Sequence, residues 1–152
     1  MFLRVVLALT AFFPLLSPAA APGKLFDRII LVVLENTNYD NAVRQPFQSY
    51  LARNGALLTH YSAITHPSQP NYIALTSGAL NGLYGDQNMD FNVRHLGDLL
   101  EENGYDWKTY AEGFPGNCFL GSRSGDYARK HNPFISYINV QKNPSRCAKI
   151  RP

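Results

Sequence analysis

Six consecutive apolar side chains, Ile29-Ile30-Leu31-Val32-Val33-Leu34, bounded by Phe26-Asp27-Arg28 and Glu35-Asn36-Thr37-Asn38-Tyr39, constrain the fold more than any other stretch. An unbroken run of branched and long apolar residues reads as a strand buried on both faces, as in a parallel sheet covered by helices. In open α/β sheets, ligands collect beyond the carboxyl ends of the strands. Glu35 and Asn36, at that end, are therefore candidates for holding a hard divalent cation through oxygen. The same pair can equally open a turn, since Asn is a common turn residue and oxygen ligands lack a diagnostic spacing.

A second stretch, Thr65-His66-Pro67-Ser68-Gln69-Pro70-Asn71-Tyr72, runs into the apolar segment Ile73 to Gly78. Pro67 and Pro70 fix φ on either side of Ser68-Gln69 and push the residue before each towards extended geometry, which stiffens the backbone around the hydroxyl. From Pro70 onward the pattern is helical, with proline near the start and Gly78 as the stop. Ser68 then stands at a helix mouth, where backbone N–H groups and the helix dipole favour an anion such as phosphate. A serine in this position can also serve only as a cap.

Between and after these stretches, Tyr39 to Asn54 reads as a polar loop and an amphipathic helix carrying Phe47, Tyr50 and Leu51, stopped at Asn54-Gly55. Ala56 to Ile64 reads as a second strand delivering the chain to the Ser68 turn, and strand-helix-strand-helix order implies a right-handed parallel α/β unit. Gly78 to Asn92 has no periodicity and is read as a loop over the site, with Asp86 either approaching a metal or simply solvated. Val93 to Asn103 reads as a helix with Leu96, Leu99 and Leu100 on its apolar face, Glu101-Glu102 outside and Gly104 closing it. Tyr105 to Ala111 follows as a third strand.

Residues 1–21 combine a basic start, an apolar core and a small-residue end, the pattern of a secretory signal peptide; the run is too short for stable membrane insertion. The mature portion, residues 22–152, suffices for one domain and one core, placed outside the cell or in the periplasm. The net charge is +3, of which Arg4 supplies one. That balance is too weak and scattered for a nucleic-acid partner, and it remains compatible with an anionic substrate. In an oxidising compartment the only two cysteines, Cys118 and Cys147, are expected to form a disulfide.

Glu35-Asn36-Thr37-Asn38-Tyr39 after its strand, together with His66-Pro67-Ser68-Gln69-Pro70-Asn71-Tyr72, resembles the acid phosphatase and phospholipase C type phosphoesterase family of the alkaline-phosphatase-like superfamily. Leu99 to Gly104, Trp107 to Glu112 and Lys130-His131-Asn132-Pro133-Phe134 match as well, so the resemblance runs from about Phe26 to near the C-terminus. It implies a three-layer α/β/α fold around a mainly parallel sheet, of which this chain would be the N-terminal part. It further implies hydrolysis of small phosphomonoesters through a covalent phosphoserine on Ser68, with Glu35 and Asn36 binding a divalent metal ion. Asn71 falls at a position near the nucleophile and is a candidate phosphate donor; His131 is a candidate pocket residue, or equally a turn histidine with a satisfied ring.

The sequence departs from the family pattern in its acidic residues. Relatives carry an acidic pair in their second half that completes the metal site, and this sequence has no adjacent Asp-Asp. One carboxylate and one amide leave a cation that wants about six oxygens under-coordinated. Two alternatives therefore accompany the acid phosphatase reading: a phospholipase C acting on lipid head groups, and a non-catalytic secreted domain that binds phosphate or glycan.

Overall fold

A computed structural model describes residues 28–152, so the signal-peptide segment 1–21 lies outside the described residues. The chain divides after Leu57 into two units.

In the first unit, residues 28–38 form no strand and Ile29 to Leu34 are exposed, Ile30 at 79%. This corrects the buried-strand expectation. A strand exists through its partners' hydrogen bonds, and among the described residues none pairs with this run. Helix α1 (Tyr39–Arg44) begins where the Asn38 side chain accepts from the Asn41 N–H at 3.0 Å. Helix α2 (Pro46–Asn54) has proline at its first position and ends as expected at Gly55, whose N–H donates to the Leu51 carbonyl. Neither helix buries a residue, so the apolar face of α2 is formed but uncovered.

A further correction spans the boundary after Leu57, where the second unit begins. Residues 56–64 are irregular and largely exposed rather than a strand, so the expected strand-helix-strand-helix alternation does not form among the described residues. Beyond them the unit is a mixture of helices and two small sheets. Helix α3 (Ser68–Ser77) closes at Gly78, whose φ of 76° lets its N–H reach the Ala74 carbonyl at 2.8 Å. Residues 78–92 form the expected loop.

Helix α4 (Leu96–Glu102) is shorter than expected because His95 caps it: the ring accepts from the Gly97 N–H while the Asp98 carboxylate takes the His95 N–H. Of its expected leucine face, Leu100 alone packs against the core. Gly97 and Asp98 are buried, while Leu96 and Leu99 are more than 40% exposed. Arg146 holds the acidic side: its guanidinium reaches Asp98 at 2.6 Å and Glu101 at 2.6 Å, and Glu101 also accepts from Trp107 Nε1 at 2.8 Å. A side chain at Gly97 would meet the rings of His95 and Trp107 within 3.0 Å, so glycine permits this approach.

The expected third strand shrinks to β1 (Thr109–Tyr110), parallel to β4 (Ile150–Arg151); β2 (Arg123–Ser124) and β3 (Tyr127–Ala128) form a small antiparallel hairpin. Helices α5 (Ile138–Gln141) and α6 (Pro144–Cys147) lead into β4. The core joins Ile73 of α3 to Leu83, Phe91, Trp107, Tyr127, Ile135, Tyr137 and Ile150. Trp107 stacks on Phe134 with centroids 4.5 Å apart, and the Tyr137 hydroxyl meets Thr76 Oγ1 at 2.6 Å, fixing α3 to the segment after β3. The expected disulfide joins Cys118 to Cys147, with Cα atoms 5.7 Å apart.

Candidate functional site

Ser68 is the first residue of α3 and half-buried, and the N-cap is Pro67. An ordinary helix presents its N-cap and first three N–H groups without intrahelical partners. Here two of those four positions, Pro67 and Pro70, are prolines and carry no N–H. The mouth of α3 therefore offers two backbone donors, those of Ser68 and Gln69. The Gln69 N–H donates to Asp86 Oδ1 at 3.0 Å.

The turn leading to Ser68 is held by Asn71. Its Oδ1 accepts from the N–H groups of Ile64 (2.9 Å) and Thr65 (3.1 Å), and its Nδ2 donates to the carbonyls of Thr65 (2.7 Å) and Pro67 (3.0 Å). A primary amide has two donor hydrogens and two acceptor lone pairs, and the turn uses all four. In this arrangement Asn71 orders the backbone that carries Ser68.

Asp86 enters from the loop 78–92. Its second oxygen meets Lys130 Nζ at 2.7 Å, and Gln69 Oε1 accepts from the Gln87 N–H at 2.8 Å, so loop and helix mouth are bonded in both directions. Burial pushes the Asp86 carboxyl up, but Lys130 and the Gln69 N–H outweigh it, with His131 adding to them, and hold it below the ordinary carboxylate range. The His131 ring lies 5.6 Å from that of Tyr72 on α3. Beside this junction is an open cleft of about 450 Å³ lined by Gln69, Asp86, Ser122, Arg123 and Lys130 among others.

Ser68, Asn71 and His131 thus belong to the second unit, and Glu35 and Asn36 to the first, on the exposed segment before α1. Glu35 and Asn36 supply oxygen donors of the kind a hard divalent cation takes. Among the described residues, no three His, Cys, Asp or Glu side chains cluster to hold a metal, so the donors suit such an ion in kind and fall short in number. The reading from sequence did not assign the Asp86–Lys130 pair. Its members stand 44 residues apart and have no motif spacing, so no local signal marks them.

The model of the Phosphoesterase family matches residues 42–150 of this chain, a span that includes Ser68, Asn71 and His131 and begins after Asn36. The chain is 41% identical over 138 residues to a probable acid phosphatase of Kluyveromyces lactis, covering 85% of this chain and 33% of the relative. To an acid phosphatase of Aspergillus fumigatus it is 37% identical, covering 85% of this chain and 31% of the relative. To a phosphatidylinositol-3-phosphatase of Mycobacterium tuberculosis it is 35% identical, covering 84% of this chain and 44% of that protein. The chain thus spans about a third of the length of the two acid phosphatases. No solved structure matches it.

Proposed function

Because the chain belongs to the phosphoesterase family, we propose that it carries the nucleophile-bearing part of a secreted phosphomonoesterase of acid phosphatase type, in which Ser68 attacks the substrate phosphorus. The observation that carries this reading is the placement of Ser68 as the first residue of α3, between two prolines and on a turn that Asn71 holds by four hydrogen bonds. A rigid turn keeps the hydroxyl in one attack geometry, and positioning with electrostatics is the main task in phosphoryl transfer.

In the reaction, the Ser68 Oγ–P bond forms as the ester P–O bond breaks. The hydroxyl proton is given up, and the departing oxygen gains one as the alcohol leaves. Water then attacks the phosphoserine, releasing inorganic phosphate and restoring Ser68. We assign Glu35 and Asn36 to a divalent cation, which when bound supplies charge withdrawal from the phosphoryl oxygens. The three-layer α/β/α arrangement is assigned to the whole domain of the longer relatives, with His131 beside its phosphate pocket.

The test is acid-quenched intact mass spectrometry after brief exposure to an aryl phosphate with added divalent cation. A gain of one phosphoryl group in the natural chain and none in Ser68→Ala is the expected result. A gain of the same size in Ser68→Ala would move the nucleophile elsewhere.

A further inference from the structure

The mouth of α3 already holds an anion of its own. Asp86 Oδ1 occupies one of the two backbone donors that the prolines leave, and Oδ2 faces Lys130 at 2.7 Å. A carboxylate next to a nucleophile meant for phosphate is electrostatically unfavourable unless it is neutralised. The same carboxylate is the acceptor for the Gln69 N–H, on the residue that directly follows Ser68. These two facts give the pair Asp86 and Lys130 separate tasks.

We propose that Asp86 is a positioning residue for Ser68, pinning the first turn of α3 through the Gln69 N–H, and that Lys130 neutralises that carboxylate so a phosphate ester can approach. The inference rests on Ser68 being the attacking group, and it goes further by specifying two side chains that act on the substrate's charge and the serine's placement. The reciprocal bond from the Gln87 N–H to Gln69 Oε1 makes the attachment two-sided, so the loop 78–92 and the Ser68 turn move together.

The tasks separate by substitution. Asp86→Asn keeps an acceptor oxygen for the Gln69 N–H and removes the charge. Asp86→Ala removes both. Lys130→Met leaves the carboxylate uncompensated. Hydrogen exchange at the Gln69 amide reads the pinning without any chemistry: Asp86→Ala is expected to exchange about tenfold faster than the natural chain, and Asp86→Asn within about threefold. The rate of phosphoserine formation at sub-saturating aryl phosphate reads the charge. Lys130→Met is expected to lose about tenfold through weaker substrate binding, a loss that saturating substrate recovers, and Asp86→Asn combined with Lys130→Met is expected to regain it.

A merely structural ion pair would make Asp86→Asn and Lys130→Met equally damaging, with no recovery in the double variant. That result overturns the charge role, and unchanged Gln69 exchange in Asp86→Ala overturns the pinning. If the natural chain itself forms no phosphoserine, the Ser68 reading fails and the charge role with it, while the exchange measurement still decides the pinning.

Discussion

Acidification should unfold this protein through His95. The ring is buried, stacked on Tyr137 at a centroid distance of 4.2 Å, and it caps α4 by accepting from the Gly97 N–H on Nδ1 at 3.1 Å. The Asn139 Nδ2 donates to Asp98, an orientation that points the Asn139 Oδ1 at His95 Nε2 at 3.0 Å, so the ring is neutral with its proton on Nε2. A second proton on Nδ1 would face the Gly97 N–H donor to donor. Loss of the cap bond together with an unsatisfied buried donor costs about 2–4 kcal/mol. Burial lowers the His95 pKa below its usual value, and Arg146 adds to this, while Asn139, Asp98 and Glu101 pull the other way. A histidine whose folded pKa is depressed contributes stability that is complete above its unfolded value of about 6.5 and is lost as pH falls towards the folded one. The slope is at most about 1.4 kcal/mol per pH unit for this one proton. Urea denaturation at pH 7.5, 6.5, 5.5 and 5.0 should show the decline. His95→Asn retains a capping oxygen and loses the stacked ring; it should be less stable at pH 7.5 by about 1–3 kcal/mol and flatter across this window. His60, His66 and His131 are common to both proteins, so the difference in slope isolates His95. Equal slopes in the two proteins would refute the reasoning.

A second loss of stability is expected below about pH 4, because burial raises Asp98 and Glu101 but their bonds to the His95 N–H, Trp107 and Arg146 outweigh it, so their pKa values are lowered and protonation opposes folding; Arg146→Met should diminish that acid-side loss in the same denaturation series. Replacing Cys118 and Cys147 together by serine releases a cross-link across a sequence separation of 29, a loss of about 3.5 kcal/mol in the chain-entropy model, read as a shift in urea midpoint that reductant reproduces in the natural chain. The exposed run Ile29 to Leu34 is a β-prone apolar segment without a strand partner among the described residues, so Ile30→Lys with Val32→Lys should lower self-association in light scattering; unchanged scattering would place the sticky surface elsewhere.

The sequence by itself determined what local chemistry can enforce. Pro70 and Gly78 bracket α3, Asn54-Gly55 ends α2, two cysteines leave one pairing, and the aperiodic stretch 78–92 is a loop. In each case the signal is a residue whose own backbone or covalent preference decides the outcome. The family membership was legible in the same way, through short motifs around Ser68 and Lys130-His131-Asn132-Pro133-Phe134. Tertiary structure decided the rest. Whether Ile29 to Leu34 is a strand depends on neighbours that hydrogen-bond to it, a property no single segment possesses. The burial of Asp98 on α4 depends on Arg146, 48 residues beyond it, whose charge compensates that carboxylate. Asn71 and Asp86 resemble ordinary polar residues until the turn and the helix mouth supply their partners, because a side chain's hydrogen bonds depend on what the fold brings within about three ångström of it.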